Sequence, residues 1–282
     1  MHMIQMVGLV TLFYFVTLVL ICLYRDKLSP KIGNLIFIAA DVVFFFLWTY
    51  AYYLIGWLDR GFITLDNISP LMFTVMPLTY IVKDRIKDAA FSAIAFLNAG
   101  MFIAMLFSPE FAYLFSYRDE ASFVYTCEAL CHATCSLFGI YLILTRQVKI
   151  TFKNWLRSIV FMLSVITFGV ILNVVFHRSY FGMDPYNGAS IYMFDLFGSF
   201  PATLCAYYFG VVAVLTIGLE VGYLLDKWTH RNDYADTLLL ADKDFPDRES
   251  ALAKESDMNA DASGAEAKLS TVPDSSADGT KS

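Results

Sequence analysis

Six stretches of this chain are each long and apolar enough to cross a bilayer: 3–24, 33–55, 89–107, 122–144, 158–176 and 202–225. A spanning helix needs about 20 mainly apolar residues, because only a continuous helix satisfies its own backbone across that thickness. A seventh stretch, 62–82, has the length but is interrupted by Asp66, Asn67, Pro70 and Pro77. With 58% hydrophobic and 16% charged residues in 282, the composition also departs from that of a water-soluble domain. The first run starts almost at Met1, with no Lys or Arg before Arg25. That predicts a first spanning helix with an exported N-terminus rather than a cleaved leader.

Loop charges decide whether 62–82 crosses. If it does, the successive loops carry Arg25, Lys27 and Lys31; then Arg60; then Lys83, Arg85 and Lys87; then Arg118; then Arg146, Lys149, Lys153 and Arg157; then Arg178; and Lys227 and Arg231 flank the last helix. The counts 3, 1, 3, 1, 4, 1, 2 alternate as the positive-inside rule requires. Omitting the seventh span would place two adjacent basic loops on opposite sides. The expectation is therefore an all-α, polytopic bundle of seven transmembrane helices, N-terminus out and C-terminus in, multi-pass in the cell membrane. Trp57, Trp155 and Trp228 fall near span ends, as interfacial anchors do.

The net charge is confined to one end. Residues 1–225 hold 13 Lys/Arg and 13 Asp/Glu, whereas the last 57 residues hold 7 and 13, so the whole −6 belongs to them. Two segments are expected: a membrane domain over 1–226 and an acidic, disordered cytoplasmic tail over 227–282. No basic face exists to bind nucleic acid. The five cysteines all lie in apolar stretches, so a secreted disulfide framework is not expected.

Ionisable groups at membrane depth are costly, about 2.5–3.5 kcal/mol each on insertion scales, and so mark functional sites. Here they are Asp41, Glu128, His132, Asp195 and Glu220, with Asn98 and Asn173 as neutral companions and His177 at the outer end of span six. Glu128, His132 and Ser136 recur at spacing four and share a helix face. A carboxylate one turn from an imidazole orients it and raises its basicity, as in a catalytic triad. The same pair also serves as an interhelical hydrogen-bond clamp. Cys127, Cys131 and Cys135 form a second stripe at spacing four. Spread along the axis, three sulfurs do not converge on one ion, so the stripe reads as small-residue packing, and no metal or cofactor is expected. The turn-rich 177–190 loop and the Gly198/Pro201 break point to a cavity on the outer side between spans five, six and seven.

Three patches carry a family resemblance: Pro77-Leu78-Thr79-Tyr80; Ser108-Pro109-Glu110 followed by His132; and Asn173 through Pro185-Tyr-Asn-Gly-Ala-Ser190, closing on Asp195-Leu-Phe-Gly198-Ser-Phe-Pro201. In these the chain resembles the YwaF-like family of bacterial integral membrane proteins over most of residues 35–225. The resemblance implies six or seven spans and kinship with transmembrane lipid acyltransferases, in which a Cys and a His are implicated. His132 matches the family's span-five histidine. Where the family tends to place a Cys after Pro-Leu, this chain has Thr79, Tyr80 and Ile81, which leaves Thr79 as the substitute nucleophile.

Three functions follow as alternatives. A membrane-embedded lipid acyltransferase or hydrolase would use His132 as base, Glu128 to orient it and Thr79 as nucleophile, with Asn98, Asn173, His177, Asp195 and Asp41 lining the cavity. A small-solute or ion-coupled transporter would use Asp41, Glu128, Asp195 and Glu220. A seven-helix sensor is the third. Retinal chemistry is excluded, because a Schiff base needs a Lys in a late span and every Lys lies in a loop or the tail. Membrane lipids are the expected partners.

Overall fold

The computed structural model describes residues 3–56, 84–107, 122–176 and 200–230, and every regular element among them is an α-helix. The six helices are α1 (Met3–Tyr24), α2 (Pro30–Leu54), α3 (Asp84–Phe107), α4 (Ser122–Leu144), α5 (Phe152–Phe176) and α6 (Phe200–Thr229). Among the described residues, five helices are long and apolar enough to cross a membrane: Gln5–Tyr24, Pro30–Leu54, Ser122–Leu144, Phe152–Phe176 and Pro201–Thr229. The sequence stretch 62–82, together with Thr79, His177, Asp195 and the tail beyond His230, lies outside the described residues.

The helices match the six apolar stretches closely, but α2, α3 and α5 begin earlier, at Pro30, Asp84 and Phe152. Those added turns carry Lys31, Asp84, Arg85, Lys87, Lys153 and Arg157. Backbone hydrogen bonding continues past the point where apolar character ends, so helix length exceeds hydrophobic length. At α2 the start is set locally: Ser29 Oγ accepts from the Ile32 N–H at 3.4 Å, and Pro30 occupies the first turn, where no N–H is missed.

α4 is the axis of the bundle. It packs against α1, α2, α3 and α6, and only Phe123, Glu128, Leu130 and His132 of its residues are not fully buried. α3 packs on α4, α5 and α6. The remaining helices bury one stripe each. On α1 it is Met6, Val10, Tyr14 and Ile21; on α5 it is Asn154, Ser158, Met162, Ile166, Gly169 and Asn173, at the three-to-four spacing of a helix face. Their opposite faces expose large apolar side chains, among them Phe46, Phe168 and Phe209. Exposed apolar surface on this scale marks a membrane-facing or protein-facing surface.

Glycines let the interior helices approach closely. A Cβ on Gly218 of α6 would collide with the Phe96 carbonyl of α3, and one on Gly139 of α4 would stand 2.6 Å from the Asn98 Cβ.

Hydrogen bonds place the helix ends. Asn34, near the start of α2, exchanges bonds with Gln147 just after α4, at 2.7 and 3.1 Å. Arg146, also just after α4, pairs with Asp226 near the end of α6. The α1–α2 turn, the α4–α5 turn and the α6 C-terminus therefore share one face of the bundle. Phe91 of α3 stacks edge-on with Phe138 of α4, while Asn98 reaches Cys135, so α3 runs antiparallel to α4 and starts at that same face. The face collects Arg25, Lys27, Lys31, Arg146, Lys149, Lys153, Arg157 and Lys227.

Candidate functional site

The middle turns of four helices converge on a polar layer. α4 contributes Cys131, His132, Thr134, Cys135 and Ser136, α2 contributes Asp41, α3 contributes Asn98 and α1 contributes Tyr14. Each lies in the middle part of its helix, about 12–21 Å from either end at 1.5 Å per residue.

Most of these groups are satisfied. The Tyr14 and Ser136 hydroxyls are 3.2 Å apart. Asn98 Nδ2 donates to the Ile94 carbonyl at 2.8 Å and to Cys135 Sγ at 3.6 Å, which ties α3 to α4. The Thr134 hydroxyl donates back to the Leu130 carbonyl at 2.8 Å. Threonine commonly bonds one turn back in this way in apolar helices.

Asp41 is the exception. Its side chain is buried, with the residue 1% exposed, and neither carboxylate oxygen has a hydrogen-bond partner among the described residues. Cys131 and Cys135 lie within electrostatic reach of it. A thiol is a weak donor and cannot replace the lost hydration of a carboxylate. Enclosed polar groups are nearly always bonded, and an exception calls for an explanation such as a proton, an ion or water.

His132 Nδ1 is 2.9 Å from the carbonyl oxygen of Glu128. A carbonyl only accepts, so Nδ1 carries the hydrogen and Nε2 is the basic nitrogen of the neutral ring. The backbone of Glu128 thus holds the imidazole from one turn back. The geometry is local: a helical side chain leans toward the preceding turn and reaches the carbonyl four residues back.

The Glu128–His132–Ser136 face meets α1. Both helices end at the basic face and so run parallel, and with Tyr14 against Ser136, fully buried Val10 and Met6 fall at the levels of His132 and Glu128. Asn173 is also fully buried, but on the stripe of α5, which packs on α3 and α6. The structure brings Asp41 and Asn98 to the layer that holds His132 and does not bring Asn173 there. Glu220 is exposed on the outer surface of α6. Cys127, Cys131 and Cys135 are buried free thiols, and no group of three metal-ligating side chains occurs among the described residues.

A second polar cluster, at the basic face, went unmarked in the sequence. Arg146 donates to both oxygens of Asp226, from Nε at 2.9 Å and from Nη2 at 3.2 Å, with side chains 4% and 0% exposed. His230 Nδ1 is 3.0 Å from the same Asp226 oxygen. Beside the pair, Gln147 Nε2 also donates to the Thr145 hydroxyl at 2.9 Å. Arg146 follows an apolar run and Asp226 closes one, so both look like ordinary loop charges. Their 80-residue separation carries no spacing signal.

No family model, no curated protein and no solved structure matches this chain.

Proposed function

We propose that the chain is a seven-span protein of the cell membrane, N-terminus outside and C-terminus inside, and that it moves a small solute coupled to exchange of a proton at Asp41. The observation that carries this reading is the enclosed Asp41 carboxyl at mid-depth with neither oxygen bonded. A fixed structural carboxylate would have been given donors. One that alternately takes up and releases a proton needs an unfilled coordination shell in one of its states.

The span count draws support from the helix ends. α2 finishes at the face opposite the one where α3 begins, which a third span over the apolar stretch 62–82 would account for. The clustered Lys and Arg residues orient the shared face toward the cytoplasm.

The test is flux into proteoliposomes of the full chain loaded with a pH-sensitive dye, driven by an imposed membrane potential. Wild type and Glu220→Gln acidify the lumen, and Asp41→Asn does not. Equal acidification by wild type and Asp41→Asn would defeat the reading.

A lipid acyltransferase or hydrolase of the YwaF-like kind is the second reading, and one observation favours it. With Nδ1 committed to the Glu128 carbonyl, Nε2 of His132 is set up as a base. Thr79 would then come from the 57–83 segment as the nucleophile. Loss of ester turnover in His132→Ala, with flux through Asp41 absent, would select this reading instead.

A further inference from the structure

An apolar groove of about 330 Å³ opens between the last turns of α1 and the first turns of α2, with Tyr141 of α4 as part of its floor. Leu20, Tyr24, Ile36 and Phe37 line its walls. Gly33 lets Tyr141 pack directly against the backbone of α2 at that floor, because a Cβ there would collide with the Tyr141 hydroxyl. The groove does not run apolar to its end. Arg25 lines it at the basic face, and the α1–α2 turn adds Lys27 and Lys31 beside it.

We infer that this groove is a binding site for an anionic phospholipid of the leaflet at the basic face, one acyl chain lying between α1 and α2 and the phosphate resting on Arg25 and Lys27. The inference rests on the proposed membrane-spanning reading but not on the role given to Asp41. Charge complementarity selects the occupant. Three cations stand against one acid at this turn, and that acid, Asp26, holds Arg25 through a solvent-exposed contact at 3.1 Å. Such pairs are weak and exchange readily for a phosphate, which Arg binds with two parallel donors. Lys27 lies over the Tyr24 ring at 5.3 Å, which holds its ammonium at the mouth of the groove. A zwitterionic lipid would fill the groove equally well but would bring a second cation to a cationic mouth. The apolar walls thus give affinity and the turn gives headgroup preference.

Native mass spectrometry of the detergent-solubilised full chain, incubated with equal amounts of phosphatidylglycerol and phosphatidylcholine, tests this. Wild type retains phosphatidylglycerol in excess. The double variant Arg25→Gln/Lys27→Gln loses that excess, by about five-fold per charge removed. Leu20→Trp, at an exposed position on the groove wall, reduces adducts of both lipids. The double variant leaves the apolar walls unchanged, so its preference is readable even if Leu20→Trp lowers the melting temperature. Equal retention of the two lipids by wild type, or an unchanged preference in the double variant, would overturn the site. Resistance of the wild-type chain to alkaline extraction from membranes reports separately on the spanning reading.

Discussion

Arg146 and Asp226 form a two-pronged ion pair that is sealed from solvent, and the arginine achieves it from a left-handed backbone, φ 52°. The cause is the way α4 ends. The Gln147 N–H bonds to the Leu142 carbonyl and the Arg146 N–H to the Ile143 carbonyl, both at 2.9 Å, the double closure that normally places glycine at the left-handed position. Arginine costs about 1–2 kcal/mol there, and the ion pair offsets it.

Breaking the pair from one side leaves a buried charge without its bidentate partner. Asp226→Asn and Arg146→Ala are each expected to lose about 3–5 kcal/mol, read as a lower unfolding midpoint in detergent. Arg146→Gly loses the same pair but relieves the backbone, so it should exceed Arg146→Ala in stability by about 1 kcal/mol. Equal midpoints for the Gly and Ala variants would show that the left-handed turn stores no strain.

Glycine positions separate contact from composition. Gly218→Ala drives a Cβ into the Phe96 carbonyl and must part α3 from α6, at a cost of about 1–3 kcal/mol. Gly210→Ala, on the same helix with open space around it, should hold or raise the midpoint. Thermal melts of the two variants side by side check this.

The two buried aspartates should respond in opposite senses to the same change. Asp226→Asn removes a partner from Arg146, whereas Asp41→Asn removes a charge that nothing among the described residues satisfies. Asp41→Asn is therefore expected to melt at or above the wild-type temperature. A fall comparable to that of Asp226→Asn would mean that Asp41 is a structural anchor.

Topology is open to the same directness. Reporter fusions after Lys31 and Lys149 should lie on one side and a fusion at Arg60 on the other. Lys31 and Arg60 on one side would contradict the seven-span topology.

The helices were legible because membrane solvation writes itself into hydropathy: 3–24 and 122–144 coincide with α1 and α4 to the residue. Starts were less legible where a helix extends into the charged interface, as at Phe152. Asp41, Asn98 and His132 stood out because polar groups are rare at such depth. The axial position of α4 did not: it is the least apolar of the five candidate spans, but hydropathy does not say which helices it packs against. Nor did Arg146–Asp226: a charge next to an apolar run is ordinary at an interface, and only the turn geometry after α4 folds it inward.

The central claim is that the Asp41 carboxyl exchanges its proton while enclosed at the middle of the bundle. Infrared difference spectroscopy of the full chain in lipid, between acidic and alkaline buffer, observes that carboxyl directly. The account predicts a protonated-carboxyl band that changes with pH in wild type and in Glu220→Gln and is missing from Asp41→Asn. A difference spectrum unchanged by Asp41→Asn would contradict it.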